Sequence, residues 1–108
     1  MTPQAPTPPD PAPLVVVVED DAAMRAAIDS LLRSVGIETR LFASGAALLE
    51  GPMPAGAGCL VADVLMPGMT GLELQARLAE QGCIVPIVFV TGYADVPMAV
   101  RAVQAGAL

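Results

Sequence analysis

The stretch CLVADVLMPGMTGLEL, residues 59–74, decides the fold that this sequence predicts. Its apolar start does not alternate with polar residues, which is typical of a strand buried on both faces of a parallel sheet. The run ends at Asp63, and after a short turn the residues from about Thr70 to Gln81 predict a helix that Gly82 closes. A buried strand followed by a helix is the repeating unit of an α/β fold.

The rest of the chain repeats this alternation of strand and helix. LVVVV at 14–18 and PIVFV at 86–90 are further continuous apolar runs, and IETRLF at 37–42 alternates as an edge strand does. A short helix is expected after Ser44 as its N-cap, and a last helix near Pro97. The first helix carries an apolar stripe made of Met24, Ile28, Leu31, Leu32 and Val35. The pattern predicts an α/β domain with a doubly wound parallel sheet.

Composition bounds what the chain can do. Its 108 residues suffice for one domain, which we expect at 14–108, after a proline-rich and disordered tail at 1–13. The net charge is −6, all five bases are arginine, and histidine is absent. The chain therefore lacks the residues for a Ser-His-Asp triad or a histidine metal site, and an acidic chain is a poor nucleic-acid binder by itself.

Hydrophobicity and cysteine usage indicate a cytoplasmic location. No apolar run approaches the roughly 20 residues that span a bilayer, and the N-terminus lacks the basic segment of a secretory signal. Cys59 and Cys83 are far apart in the chain and form no CxxC motif. We expect two buried thiols that act as small hydrophobic side chains, with a disulfide as the alternative.

Polar groups stand where three of the predicted strands end. Glu19 and Asp20 follow the first strand, Asp63 ends the third, and Thr91 follows the fourth. Adjacent parallel strands bring such groups together at one edge of the sheet, where open α/β sheets bind ligands. Clustered carboxylates favour a cation, and an oxygen-only ligand set suits Mg²⁺. An aspartate beside Mg²⁺ can attack phosphorus and carry an aspartyl phosphate.

Local roles are the alternative for each of these residues. Asp20 or Asp21 can cap the first helix, Asp63 can be a simple turn residue, and Thr91 beside Gly92 can be an ordinary strand end. Each alternative is reasonable alone. Together they would have to explain acids and a hydroxyl at three neighbouring strand ends.

The motifs resemble those of a known family. VVVVEDDAAMR, VADVLMPGMTGLEL, PIVFVTGYAD and AVQAGA occur in the order and spacing of receiver domains from two-component response regulators, over residues 14–108. The segment VTGYADVPMAV is most similar to receivers of the FixJ type, which are attached to LuxR-type helix-turn-helix transcription factors. The resemblance implies a flavodoxin-like sheet of order 2-1-3-4, with a fifth strand and helix that this chain does not contain.

The resemblance also implies a role for each site residue. Asp63 matches the phosphoacceptor, which takes a phosphoryl group from the phosphohistidine of a sensor histidine kinase. Glu19 and Asp20 match the acidic pair that holds Mg²⁺ with Asp63 and the backbone carbonyl of Leu65, and Thr91 matches the switch hydroxyl. The family is not enzymatic beyond its own phosphorylation and dephosphorylation. The resemblance further implies that a homodimer can form on phosphorylation, and that DNA is reached only through an output domain, which is not in this chain.

Two departures from the family pattern are visible. Glu19 stands where aspartate is commoner, and the active-site lysine of the fifth strand has no counterpart, because these 108 residues contain no lysine. A receiver-like interaction module that works without phosphorylation is the main alternative. A dehalogenase-type phosphatase is disfavoured because its Asp-x-Asp motif is broken at Leu65.

Overall fold

Strands and helices alternate along the whole described chain. The structure is a computed structural model that describes residues 14–107; the predicted tail at 1–13 lies outside the described residues. The elements are β1 Leu14–Val18, α1 Ala22–Ser34, β2 Glu38–Phe42, α2 Gly45–Leu49, β3 Ala57–Asp63, α3 Gly71–Glu80, β4 Ile87–Val90 and α4 Val96–Ala102. A 3-10 turn, Tyr93–Asp95, precedes α4 and a π-helical turn, Val103–Ala107, follows it. The strands form one parallel sheet of order β2-β1-β3-β4, which confirms the predicted fold and strand order.

The register of the sheet aligns the carboxyl ends of its central strands. Val18 at the end of β1 pairs with Ala62 of β3, and Asp63 at the end of β3 pairs with Val90 of β4. The residues that follow β1 and β4 therefore flank Asp63. This edge of the sheet is where the sequence predicted the site.

The sheet is buried on both faces, as its continuous apolar strands predicted. Val15 and Val17 of β1 face a core formed with α1 and α4, whereas Val16 and Val18 face a second core formed with α2 and α3. All five residues of β1 are buried. Burial on both faces explains why β1 reads as an unbroken apolar run rather than as an alternating one.

Chain direction and apolar burial decide which face each helix covers. The chain moves from β1 to β2 in one direction and from β2 through β3 to β4 in the other, so right-handed connections place α1 opposite α2 and α3. No described strand follows α4, and its position is set by burial instead. Val96, Ala99 and Val100 pack on the face that α1 covers, beside Val61 and Val90.

The helix ends follow the sequence signals. Asp21 caps α1 and Ser44 caps α2, each accepting a hydrogen bond from a backbone amide of the first turn. Gly36 and Gly82 follow α1 and α3 with φ of 82° and 78°, and Pro97 lies in the first turn of α4. Within residues 14–107 no helix has both the length and the apolar character needed to cross a membrane.

The predicted apolar stripe of α1 is wider than its buried face. Met24, Ile28 and Leu32 are buried, but Leu31 and Val35 are 40% and 42% exposed. Leu31 lies at the margin of the stripe, and Val35 follows the last helical residue. The face of α1 that touches the sheet is therefore narrower than the stripe indicated.

Two further details differ from the sequence expectations. The alternation of the edge strand β2 predicts that Thr39 and Leu41 share its covered side, but Thr39 is buried and Leu41 is 41% exposed. Cys59 is buried and free, as expected, whereas Cys83 is free but only half-buried. No disulfide joins these two thiols.

Two adjacent leucines of α1 test this description of the core. Leu32→Ala removes a fully buried side chain and should lower the free energy of unfolding by about 2–5 kcal/mol. Leu31→Ala, the matched control on the same helix, should lower it by less than about 1 kcal/mol. Urea unfolding of the two variants measures both values, and equal losses would contradict the burial of α1 described here.

Candidate functional site

Three carboxylates meet at the carboxyl edge of the sheet. Glu19 and Asp20 lie in the loop between β1 and α1, and Asp63 is the last residue of β3. One carboxylate oxygen from each lies within 4.8 Å of the others. The structure thus brings together the three acids that the sequence singled out, in an arrangement that could hold a metal ion.

Glu19 is the most constrained member of this cluster. Its side chain is 1% exposed, its Oε1 accepts a hydrogen bond of 3.0 Å from the Asp21 amide, and its Oε2 is buried without a hydrogen-bond partner among the described residues. Burial raises the pKa of Glu19 to about 7; the Asp21 amide opposes this, and the nearby Asp63 and Asp20 carboxyls add to it. A buried oxygen without a partner is costly unless a cation or proton meets it.

Asp63 is held by the turn that follows it. The residue is 9% exposed, and its Oδ1 accepts a hydrogen bond of 2.8 Å from the amide of Leu65. Leu65 is 71% exposed, so it contacts Asp63 through its backbone amide and not through its apolar side chain. The contact seen involves the amide of Leu65, and a ligand role for its carbonyl stays a prediction.

Gly71 is a part of the site that sequence reasoning missed. A Cβ at this position would lie 2.5 Å from the backbone oxygen of Asp63 and 3.1 Å from its carbonyl carbon. The start of α3 therefore approaches the end of β3 so closely that only glycine fits. The sequence did carry a signal for this close approach. Gly71 directly follows the helix cap Thr70, at a position where most helices carry a side chain.

Arg25 is a second missed residue. Its Nη1 donates to the backbone oxygen of Glu19 at 2.8 Å, with the backbone oxygen of Asp20 at 3.4 Å. The guanidinium therefore ties the first turn of α1 to the backbone of the acidic pair. The signal in the sequence was a basic residue one turn into a helix that directly follows three acids.

Thr91 lies beside the cluster, but its hydroxyl is directed elsewhere. It follows Val90, the residue that pairs with Asp63, and its Oγ1 donates to Oδ2 of Asp95 at 2.6 Å. Hydrogen bonds from the Thr91 hydroxyl and from nearby amides hold the pKa of Asp95 below its usual range. Sequence reasoning placed Thr91 at this edge and missed Asp95.

The donor set fits a hard divalent cation. Three carboxylates supply only oxygen ligands, and Glu19 Oε2 is buried with no competing partner in the described part of the chain. Mg²⁺ prefers such ligands and keeps several of its waters, so it needs few protein donors. The residues present are therefore chemically suited to Mg²⁺.

Comparison with known proteins points to one family. A family model described as response regulator receiver domain matches residues 15–108. Nodulation protein W of Bradyrhizobium diazoefficiens is 46% identical over 95 residues, covering 88% of this chain and 42% of that protein. Transcriptional regulatory protein FixJ of the same species is 43% identical over 94 residues, covering 87% and 46%. The chain spans less than half the length of these two curated relatives.

A solved structure shows the same likeness. The response regulator StyR, known at low resolution, aligns with a TM-score of 0.69 and 46% sequence identity. The alignment covers 89% of this chain and 48% of the StyR chain.

The raised pKa of Glu19 predicts a pH-dependent stability of the metal-free chain. The pKa of Glu19 is about 7 in the folded chain and near 4.5 in the unfolded chain. Between pH 4.5 and pH 7 the folded chain therefore binds the Glu19 proton more tightly than the unfolded chain does. The contribution of Glu19 to the free energy of unfolding should be greatest below pH 4.5. It should decrease by on the order of 2 kcal/mol as the pH rises through 7. Urea unfolding with a chelator at pH 5 and pH 8 measures this decrease.

Glu19→Gln is the matched variant for the pH experiment. The amide does not titrate, so its unfolding free energy should change less between pH 5 and pH 8 than that of the unmodified chain. The lowered pKa values of Asp29 and Asp95 affect stability only at more acidic pH. Parallel pH profiles for the two proteins would contradict the raised pKa.

Gly71→Ala tests the close approach of α3 to β3. The added Cβ would displace either the helix start or Asp63, and we expect a loss of about 1–3 kcal/mol in unfolding free energy. Gly51→Ala is the control, since a Cβ there would meet no heavy atom within 4 Å. Thermal denaturation compares the two, and a Gly71→Ala protein as stable as the control would refute the predicted clash.

Proposed function

Because this chain belongs to the response regulator receiver domain family, as a FixJ-type receiver, we propose that Asp63 accepts a phosphoryl group from a phosphohistidine of a sensor histidine kinase. The observation that supports this most directly is the place of Asp63 at the end of β3, with Glu19 and Asp20 beside it. A nucleophilic carboxylate needs neighbours that recruit a cation, since an incoming phosphoryl group is itself negative.

The chemistry assigned to Asp63 is an in-line displacement. One oxygen, Oδ1, is held by the Leu65 amide, which orients the carboxylate and leaves Oδ2 as the nucleophile. A P–O bond forms at Oδ2 as the P–N bond of the phosphohistidine breaks, and the imidazole nitrogen keeps the electron pair of that bond. The protein itself supplies chiefly position, because phosphoryl transfer needs little covalent help.

Mg²⁺ is the cation that we propose for the cluster. Glu19, Asp20 and Asp63 would hold it, with the backbone carbonyl of Leu65 as a further ligand. When bound, Mg²⁺ supplies positive charge that offsets the repulsion between phosphoryl oxygens and carboxylates. The longer side chain of Glu19, compared with the commoner aspartate, suits a contact through water.

Arginine does not replace the family's lysine at this site. The chain has no lysine, and Arg25, one turn after the acidic pair, already donates to the backbone oxygen of Glu19. Its guanidinium therefore positions the loop rather than the phosphoryl group. We propose that Arg25 stabilises the backbone from which Glu19 and Asp20 project.

We extend the proposal to the partners of the whole protein. The name of the FixJ relative states transcriptional regulation, and we propose that this receiver controls a DNA-binding output domain and dimerises on phosphorylation. We also propose that it works in the cytoplasm, where its two free thiols stay reduced, and that it turns over no substrate besides its own aspartyl phosphate.

Asp63→Asn tests the acceptor directly. The longest form of the protein that its host produces is incubated with acetyl phosphate and Mg²⁺, and intact mass spectrometry counts the phosphoryl groups. The unmodified protein should gain one and Asp63→Asn none, because the amide is not a nucleophile at this site. A chelator should abolish the gain.

Asp29→Asn is the matched control for this experiment. Asp29 lies outside the acidic cluster and should leave the gain of one phosphoryl group intact. An Asp63→Asn protein that is still phosphorylated at another residue would overturn the assignment. An unmodified protein that gains nothing would favour the phosphorylation-independent module instead.

A further inference from the structure

One carboxylate oxygen organises the turn between β4 and α4. Oδ2 of Asp95 accepts three hydrogen bonds, from the Thr91 hydroxyl at 2.6 Å, the Thr91 amide at 2.9 Å and the Gly92 amide at 3.1 Å. Asp95 is also the residue that directly precedes α4. The side chain therefore connects the end of β4 to the start of α4.

The backbone places Thr91 next to the proposed acceptor. Val90 pairs with Asp63, and the amide of Val64 donates to the Val90 oxygen at 3.0 Å. Thr91 directly follows β4 and stands at the same edge of the sheet. Thr91 is thus one residue beyond the position that pairs with Asp63, yet its hydroxyl donates to Asp95.

We infer that Asp95 holds the Thr91 hydroxyl in the unphosphorylated receiver and competes with the phosphoryl group on Asp63 for it. A hydroxyl has a single proton to donate, so a bond to Asp95 excludes a bond to a phosphoryl oxygen. Both competitors are anionic, and each gives the strong type of hydrogen bond that a charged acceptor makes. This inference rests on the proposed phosphorylation of Asp63.

The competition links the state of Asp63 to the start of α4. When the hydroxyl turns to the phosphoryl group, Asp95 keeps only the two amide bonds, from Thr91 and Gly92. The turn before α4 is then held by fewer contacts. Asp95 acts in this scheme as a positioning residue, because it reaches the acceptor only through Thr91.

A purely structural role for Asp95 predicts something different. If Asp95 only closed the turn, its removal would lower stability without changing how the site binds a phosphoryl mimic. If it acted only as a nearby negative charge, its removal would strengthen anion binding whether or not Thr91 carries a hydroxyl. A double-mutant cycle separates these roles from competition.

The cycle uses beryllofluoride, which mimics the phosphoryl group on aspartate, in the presence of Mg²⁺. Its affinity is measured for the unmodified protein in its longest form and for Asp95→Ala, Thr91→Ala and the double variant. Asp95→Ala should bind about 3- to 10-fold more tightly, the range expected when a competing hydrogen bond is removed. In the Thr91→Ala background the same change should have little effect. An equal effect in both backgrounds would overturn the inference.

Two further variants keep the outcome interpretable. Asp95→Asn retains an oxygen acceptor but not the charge, and its affinity should fall between those of the unmodified protein and Asp95→Ala. Glu73→Ala removes a carboxylate from the comparable capping turn of α3, where Thr70 Oγ1 lies 3.3 Å from Glu73 Oε1, and should leave the affinity unchanged. Thermal denaturation verifies that each variant is folded, and Asp95→Asn replaces Asp95→Ala in the cycle if the latter is not.

The results separate this inference from the function on which it rests. An unmodified protein that does not bind beryllofluoride would contradict phosphorylation at Asp63. An unmodified protein that binds it, with additive effects of the Asp95 and Thr91 substitutions, would contradict only the competition.

Discussion

The parallel pairing of β1 with β3 is the constraint on which the rest of the structure depends. It sets Val18 opposite Ala62, so the acids that follow β1 arrive beside Asp63. A slip of either strand by one residue would move each of its side chains into the opposite core, which is packed around different side chains. The apolar packing of the sheet therefore assembles the carboxylates against their mutual repulsion.

The carboxylates stay close together despite their mutual repulsion because other groups fix the backbone around them. Glu19 is buried with one oxygen lacking a partner and its pKa raised to about 7. Arg25 fixes the backbone on one side of the cluster, and Gly71 allows α3 to close on the other. A cation would relieve both the repulsion and the unpaired oxygen, which is why the arrangement favours metal binding over a purely structural role.

Sequence reasoning succeeded where short-range patterns determine the structure. The apolar runs located the strands, and the polar residues at their ends located Glu19, Asp20 and Asp63. It failed for Gly71 and Asp95, because a close backbone approach and the direction of a hydroxyl depend on how distant segments pack. The burial of Leu31 and Val35 on the stripe of α1 was overestimated for the same reason. Helical periodicity shows which residues share a face, but it does not show how far the sheet that covers this face extends.

The two halves of the site differ in how firmly they are held. β1 is buried along its whole length, whereas the first three residues of β4, Ile87–Phe89, are only half-buried and α4 has seven residues. Elements with less buried apolar surface open and shift at lower free energy than the core. Asp63 belongs to the buried strand β3, and Glu19 and Asp20 directly follow the buried strand β1, whereas Thr91 and Asp95 belong to the less buried segment. If Asp63 is phosphorylated as proposed, the added charge should therefore move the β4–α4 side of the site before it disturbs the buried strand β3.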